Sequence, residues 1–229
     1  MKAVILVAGK GTRMAKHYEG PKHLLPVNGK PLIEHFLDEL PAEIDGLIFV
    51  VGGPHEQTIR DHFKDNYKGR PVEYTVQKEQ LGLAHAFWSA EGMTEGRWLG
   101  AIGDDLISKK AMHALLAEDT AVLAHRSDHP ENFGVLVADD DGNLVRSVEK
   151  PQEFISDLVW TGHMVMDQDF FQARVEPSAR GEYETPDVWT KLSQEYGKKI
   201  KIVESDFWLP INDKDQLEAA EQALQERGQ

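Results

Sequence analysis

The chain has 229 residues and a net charge of −14, from 25 basic and 39 acidic residues, and it contains no cysteine. That length fits one large domain or a domain with a small appendage, and it suffices to bury a core. The charge argues against a surface that coats nucleic acid, and the missing thiols exclude a disulfide framework, a thiolate metal site and a cysteine nucleophile. No apolar run reaches the length of a membrane span, and no signal-peptide layout precedes the first strand. These features predict a cytoplasmic protein with neither nucleic acid nor membrane as partner.

Apolar runs alternate with amphipathic stretches, which is the α/β pattern. Strands are expected at 3–8, 47–52, 72–77, 98–102, 120–124, 133–138, 144–149, 158–166 and 199–203. Helices are expected at 32–40, 56–67, 83–92, 109–117, 186–196 and 214–227. The early strand–helix–strand order predicts a parallel sheet. After residue 120 strands follow one another, and Asp139-Asp140-Asp141-Gly142 is a hairpin turn signal, so the sheet should become mixed.

The first strand, Val4-Ile5-Leu6-Val7, runs into Ala8-Gly9-Lys10-Gly11-Thr12-Arg13-Met14, and Pro21-Lys22 follows. A glycine-rich turn lets backbone N–H groups approach phosphate oxygens. The arginine adds a planar fork and the lysine a point charge for a polyphosphate. The spelling is not a Walker loop, which ends in Gly-Lys-Ser or Gly-Lys-Thr, nor a dinucleotide fingerprint, which needs a third glycine where Met14 stands. Further along, Gln77-Lys78-Glu79-Gln80-Leu81-Gly82-Leu83-Ala84-His85-Ala86 joins a strand end to a helix start. Ile102-Gly103-Asp104-Asp105 closes the next strand. A carboxylate at the carboxyl end of a strand in an open α/β sheet is well placed to hold Mg²⁺, which takes one or two carboxylates plus substrate phosphates. Asp105 reads as a supporting residue or as the cap of the following helix. A glycosyltransferase of related fold would show Asp-x-Asp at this point, and Gly103-Asp104-Asp105-Leu106 does not.

The opening segment resembles the signature of the sugar-1-phosphate nucleotidylyltransferases, roughly Leu-Ala-Ala-Gly-x-Gly-Thr-Arg followed by Pro-Lys, and the likeness covers nearly the whole chain. It implies a Rossmann-like three-layer α/β sandwich with a central mixed, mostly parallel sheet. The expected division is one domain over 1–229, with a nucleotide-binding half at 1–120 and a sugar-phosphate half at 121–229. By the same likeness Ala8, Gly9, Gly11 and Thr12 bind nucleotide, and Arg13 and Lys22 hold the triphosphate and the leaving pyrophosphate. Gln77 and Gly82 read the base. An amide offers both a donor and an acceptor, so Gln77 matches the O4/N3–H edge of uracil or thymine. His85 reads as a packed helix residue rather than a catalyst.

In the second half, the order Asn132-Phe133-Gly134, Glu149-Lys150-Pro151, Thr161-Gly162 and Gly181-Glu182-Tyr183-Glu184-Thr185-Pro186-Asp187 is similar to the sugar-phosphate half of that family. The resemblance implies that Glu149 binds sugar hydroxyls, with Thr161 in the same sugar-phosphate set. It makes Lys150 the catalytic cation that steers the attacking phosphate, and Gly134 and Gly162 backbone contacts. Asp104 matches the metal-binding aspartate. The second ligand falls in Trp208-Leu209-Pro210-Ile211-Asn212-Asp213. One register puts Pro210 at the aspartate of the thymidylyl branch; the other puts Asn212 at the asparagine of the uridylyl branch. Asn212 is acceptable as a neutral oxygen ligand, and it is equally placed to cap the last helix. Trp160 departs from the asparagine or small apolar residue that members carry there. Nothing corresponds to the extra C-terminal helices of long thymidylyltransferases or to an acetyltransferase domain. The expected activity converts UTP or dTTP and a sugar 1-phosphate to a nucleotide sugar and pyrophosphate, with Mg²⁺ as cofactor. A different base, a non-sugar acceptor such as phosphocholine, a catalytically silent nucleotide-sugar-binding module and a homo-oligomeric assembly stay open.

Overall fold

The computed structural model of the chain describes residues 1–9, 11, 14–16 and 18–226. The elements, in order, are β1 (Lys2–Leu6), β2 (Pro26–Val27), β3 (Lys30–Pro31), α1 (Leu32–Glu39), β4 (Gly46–Val51), α2 (Glu56–Phe63), β5 (Asn66–Tyr67), β6 (Arg70–Val76), α3 (Leu83–Trp88), β7 (Trp98–Ala101) and β8 (Asp105–Ile107). They continue with α4 (Lys109–Leu116), β9 (Ala121–Arg126), β10 (Gly134–Ala138), β11 (Leu144–Glu149), β12 (Leu158–Met166), α5 (Asp169–Gln172), α6 (Thr185–Glu195), β13 (Lys201–Glu204), β14 (Trp208–Pro210) and α7 (Lys214–Glu226).

One large sheet carries the fold, in the order β11-β10-β12-β7-β1-β4-β6-β5, with β9 on β12 and β13 on β9. Strands β7, β1, β4 and β6 are parallel to one another, as the strand–helix alternation predicts. Strand β12 runs antiparallel to β7, β9 and β10, so the sheet is mixed in its second half. The 139–142 turn joins β10 to β11: the Asp139 carboxylate accepts from the N–H groups of Asp141 and Asn143.

Successive side chains of a strand point to opposite faces. Ala3, Ile5 and Val7 therefore enter one buried cluster, with Phe36, Phe49, Phe63 and Met112 from the α1, α2 and α4 side. Val4 and Leu6 enter the other, with Phe87, Trp98, Phe170 and Trp189 from the α3, α5 and α6 side. The result is the expected three-layer sandwich. A third cluster joins the β2–β3 hairpin, Leu106, Met14 and the α7 residues Ala220 and Leu224. No helix among the described residues is long and apolar enough to cross a membrane.

Two helices stop earlier than their apolar patterns suggest. Helix α2 ends at Phe63 because Lys64 adopts φ +53°, after which β5 turns into β6. Helix α3 ends at Trp88, where 89–92 turn instead.

Candidate active site

Strand β1 lies between β4 and β7, so the chain leaves it in one direction and returns on the other side. That is the switch point at which open α/β sheets bind ligands. A cleft of about 390 Å³ opens there, at the carboxyl ends of β1, β6 and β7. Gly9, Gly11 and Ala8 from the first turn, Lys22, Gln77, Gly82, Asp104 and Asn212 all line it. Gly11 has φ +57°, and a Cβ on it would lie 3.2 Å from the Lys22 Cβ, so the turn and the lysine are packed together. Thr12 and Arg13 lie outside the described residues.

The Lys22 ammonium is the centre of the site. It donates to Asp104 Oδ2 at 2.5 Å and to Asn212 Oδ1 at 3.2 Å, and its side chain is only 8 % exposed. Asp104 follows β7 directly. Asn212 arrives by a route the sequence did not announce: β14 pairs antiparallel with β8, placing Pro210 opposite Asp105. The cap of α7 is Asp213, whose Oδ1 accepts from Gln216 N–H at 2.9 Å. Asn212 is thus not the capping side chain, and its amide oxygen faces Lys22.

Asp105 does not cap α4; Ser108 does, through an Oγ that accepts from Ala111 N–H at 3.0 Å. Asp105 is instead buried in β8. Its Oδ2 accepts from the Trp208 indole N–H at 2.5 Å, and its Oδ1 lies 3.5 Å from His163 Nε2. The charges of this group are set by burial. Desolvation pushes Asp105 well above the usual carboxylate range, and the neighbouring Asp104 charge adds to it. Desolvation lowers His163 and His23 to about 4 each, against the pull of Asp104. Burial is the largest single influence on the Asp104 carboxylate and raises it, but the Lys22 charge and hydrogen bond, with smaller contributions from His23 and His163, together outweigh it and hold Asp104 below its ordinary value. Within this buried group the close pair of opposite charges is Lys22–Asp104.

Across the cleft, Gln77 is buried and donates from Nε2 to the Gly82 carbonyl at 3.1 Å. Gln80 donates to the Ala8 carbonyl at 2.5 Å, tying the 77–82 segment to the glycine turn. His85 packs against the Tyr183 ring, and its Nδ1 lies 3.3 Å from Gln77 Nε2.

The second-half residues form a separate group beside the cleft wall. Glu149 lies opposite Gly134 across the β10–β11 hairpin. Its Oε1 is 3.2 Å from Lys150 Nζ and 3.5 Å from the Arg180 guanidinium, while burial raises its pKa against those cations. Lys150 itself sits at φ +45°. Thr161 is buried and its hydroxyl donates to the Leu123 carbonyl at 3.2 Å, an internal use of that group. Gly162 backs the cleft: a Cβ there would meet Ile102 Cγ1 at 2.2 Å, and Ile102 lines the cavity. Glu182, from the turn that also holds Arg180, lines the cavity too. Gln80 and Glu182 lay inside segments that the motifs marked, but nothing in their spacing singled them out. Trp208 likewise lay inside a marked segment without being singled out, and His163 carried no signal beyond its place in a strand.

Among known proteins, the chain is 35 % identical over 237 residues to the UTP–glucose-1-phosphate uridylyltransferase AglF of Haloferax volcanii, covering 99 % of this chain and 97 % of that one. It is 35 % identical over 216 residues to the bifunctional protein GlmU of Methanococcus maripaludis, of which it spans about half (51 %). Two solved structures share its fold. A UDP-glucose pyrophosphorylase complexed with UDP-glucose gives a TM-score of 0.85 at 22 % identity, over 99 % of this chain and 98 % of that one. A putative glucose-1-phosphate thymidylyltransferase from Bacillus anthracis gives 0.84 at 26 % identity, over 97 % and 94 %. A model of the nucleotidyl transferase family matches residues 2–227. On that match and the full-length likeness to AglF, the chain belongs to the nucleotidyl transferase family.

Proposed function

We propose that this protein joins UTP or dTTP to a sugar 1-phosphate, releasing pyrophosphate and a nucleotide sugar. The observation that carries the reading is the convergence of Lys22, Asp104 and Asn212 on one point of a cleft whose far wall is Gln77. The names of the AglF relative and of the two structural neighbours support the same class of reaction.

The oxygens of Asp104 and Asn212 already surround a cation, the Lys22 ammonium. One carboxylate and one amide oxygen suit Mg²⁺, a hard cation that fills its remaining positions with phosphate oxygens and water. When bound, Mg²⁺ would supply Lewis-acid neutralisation of phosphate charge. The chain does the rest by positioning and electrostatics. The glycine turn presents backbone N–H groups to the triphosphate. Lys22, released from Asp104, offsets the charge that builds on the pyrophosphate as the bond between the α-phosphorus and the β-bridging oxygen breaks. A sugar-phosphate oxygen forms the new bond to that α-phosphorus, in line with the leaving group. Lys150 steers the attacking phosphate, and Glu149 takes sugar hydroxyls. No covalent intermediate on the protein is required.

The test is pyrophosphate release from a panel of nucleoside triphosphates against a panel of sugar 1-phosphates, with phosphocholine included. Turnover with UTP or dTTP and a sugar 1-phosphate supports the proposal. Turnover only with phosphocholine or with a purine nucleotide replaces it, and binding of nucleotide sugar without any turnover assigns the chain to a silent binding role.

A further inference from the structure

The base reading of the cleft rests on Gln77, and a carboxamide reads a base in either of two senses. Its oxygen accepts and its nitrogen donates, and the two orientations fill the same space. A glutamine therefore discriminates between bases only when something fixes which end faces the ligand. Gln77 is 6 % exposed, and the groups behind it decide the matter. The Gly82 carbonyl can only accept, so the side-chain atom 3.1 Å from it is the nitrogen. That nitrogen carries two hydrogens. The second points to His85 Nδ1 at 3.3 Å, which must then offer a lone pair and carry its proton on Nε2. The carboxamide oxygen is left for the cleft, so the amide meets a base through its acceptor alone and not through the donor–acceptor pair that the sequence suggested.

The imidazole is itself held. His85 lies in the first turn of α3, one turn past Gly82, and its ring stacks on Tyr183 with centroids 6.0 Å apart and planes 23° from parallel. Tyr183 is fixed by its backbone: its carbonyl accepts from Ala84 N–H at 3.1 Å, and its N–H donates to Leu81 O at 2.8 Å.

We infer that His85 is a positioning residue for base selection: it holds Gln77 with its acceptor toward the cleft, and the pair, not Gln77 alone, sets the preference for a base that presents an N–H. Uracil and thymine donate from N3. Cytosine offers a lone pair at the same place, so two acceptors would face each other and neither would be satisfied. The inference rests on the base-reading assignment of Gln77 made above and adds what enforces it.

The experiment compares UTP with CTP, as kcat/KM with the preferred sugar 1-phosphate and as equilibrium binding of each nucleotide alone. His85→Phe keeps a ring on Tyr183 and removes the lone pair. His85→Gln returns an acceptor oxygen. The UTP:CTP ratio should fall about threefold to tenfold in His85→Phe, the effect of one hydrogen bond, and return to within about twofold of wild type in His85→Gln. In a Gln77→Ala background His85→Phe should leave the ratio unchanged, because the two residues act as one unit. If His85→Phe does not fold, His85→Leu serves in its place. An equal loss for both nucleotides, no rescue by glutamine, or the same ratio change without Gln77 overturns the inference and leaves the reading of Gln77 standing. A wild-type chain that does not prefer UTP or dTTP to CTP overturns that reading as well.

Discussion

The main chain of Tyr183 crosses Gly82 so closely that a Cβ on the glycine would lie 2.6 Å from the Tyr183 carbonyl oxygen and 2.8 Å from its nitrogen. Gly82 also sits at φ +102°, which side chains rarely adopt. This crossing is where the 77–82 segment, which we propose reads the base, meets the turn that leads to α6. A single missing Cβ therefore keeps the two parts of the cleft wall in register.

Gly82→Ala should lower stability by more than about 1 kcal/mol, the scale of a substitution at an incompatible backbone angle. It should also weaken UTP binding about tenfold or more, because the Gly82 carbonyl that holds Gln77 must move. Thermal unfolding and nucleotide titration check both effects. A variant that melts and binds like wild type would show that the crossing relaxes freely.

Asp104→Asn should leave the fold intact and reduce turnover about a hundredfold or more, as expected when an anionic group that anchors charge at the reacting phosphate becomes neutral. The assay is initial rate against Mg²⁺ concentration. Normal turnover at limiting Mg²⁺ would sink the metal assignment.

Lys22→Ala and Lys150→Ala remove the same charge from different places. Lys22 lies between Asp104 and Asn212, whereas Lys150 lies against Glu149 and is about half exposed. A charge-assisted contact contributes roughly 1.5–3 kcal/mol, so each loss should be about ten- to a hundredfold on its own substrate. Steady-state kinetics should place the Lys22 defect on the triphosphate and the Lys150 defect on the sugar phosphate. Matching profiles would refute this division of labour.

Gly162→Ala would drive a methyl to within 2.2 Å of Ile102 Cγ1 and 2.4 Å of its Cδ1, at a φ of +94°. Overpacking of this kind costs about 1–3 kcal/mol, and the strained angle adds to it. Ile102→Ala should therefore cost less in the Gly162→Ala background than in wild type. A double-mutant cycle by chemical denaturation measures the coupling, and strict additivity would mean that the backbone shifts instead.

The buried histidines predict how stability responds to acid. His23 and His163 titrate near 4 in the native state and near 6.5 in the unfolded chain. The unfolded state binds more protons between those values, so their contribution is complete above pH 6.5 and gone below about pH 4. Each is worth up to roughly 3 kcal/mol on that scale. Asp105 works in the opposite sense, since its raised pKa keeps a native proton that the unfolded chain has released. The net loss on acidification should be smaller than the sum for the two histidines. Denaturation midpoints from pH 7 to pH 4.5 should fall less steeply in His163→Leu than in wild type; parallel curves would contradict the burial account.

The sheet and the first turn were legible because local chemistry fixes them. Apolar runs of strand length ended in glycines, and the Asp139–Gly142 turn announced its hairpin. The position of Asp104 followed from the strand that ends at Ala101. What stayed hidden depends on distant parts of the chain. Strands β8 and β14 have three residues each, too short for a periodic pattern, and they form only by pairing with one another. Asp105 could be read as a supporting residue or as a helix cap, and only the structure excludes the cap; burial beneath Trp208 and beside His163 is a tertiary fact. His85 looked like packing, and it is packed, but its partner eight residues away is the Gln77 amide at the cleft.

The β8–β14 pairing also bears on when the site comes into being. A chain emerging from the ribosome carries the glycine turn, Lys22, Gln77 and Asp104 well before it carries Asn212, 190 residues beyond Lys22. Residues 208–210 must fold back onto 105–107 before the lysine meets its second oxygen, and the α7 that follows packs on the β2–β3 hairpin, where Asn28 Nδ2 donates to the Glu221 carbonyl. Such long-range closure comes late in folding. A nascent chain or a clipped fragment that ends before β14 would carry every strand of the large sheet and still lack the Asn212 oxygen, so the second contact to Lys22 arrives with the last segment of the chain and not with the core.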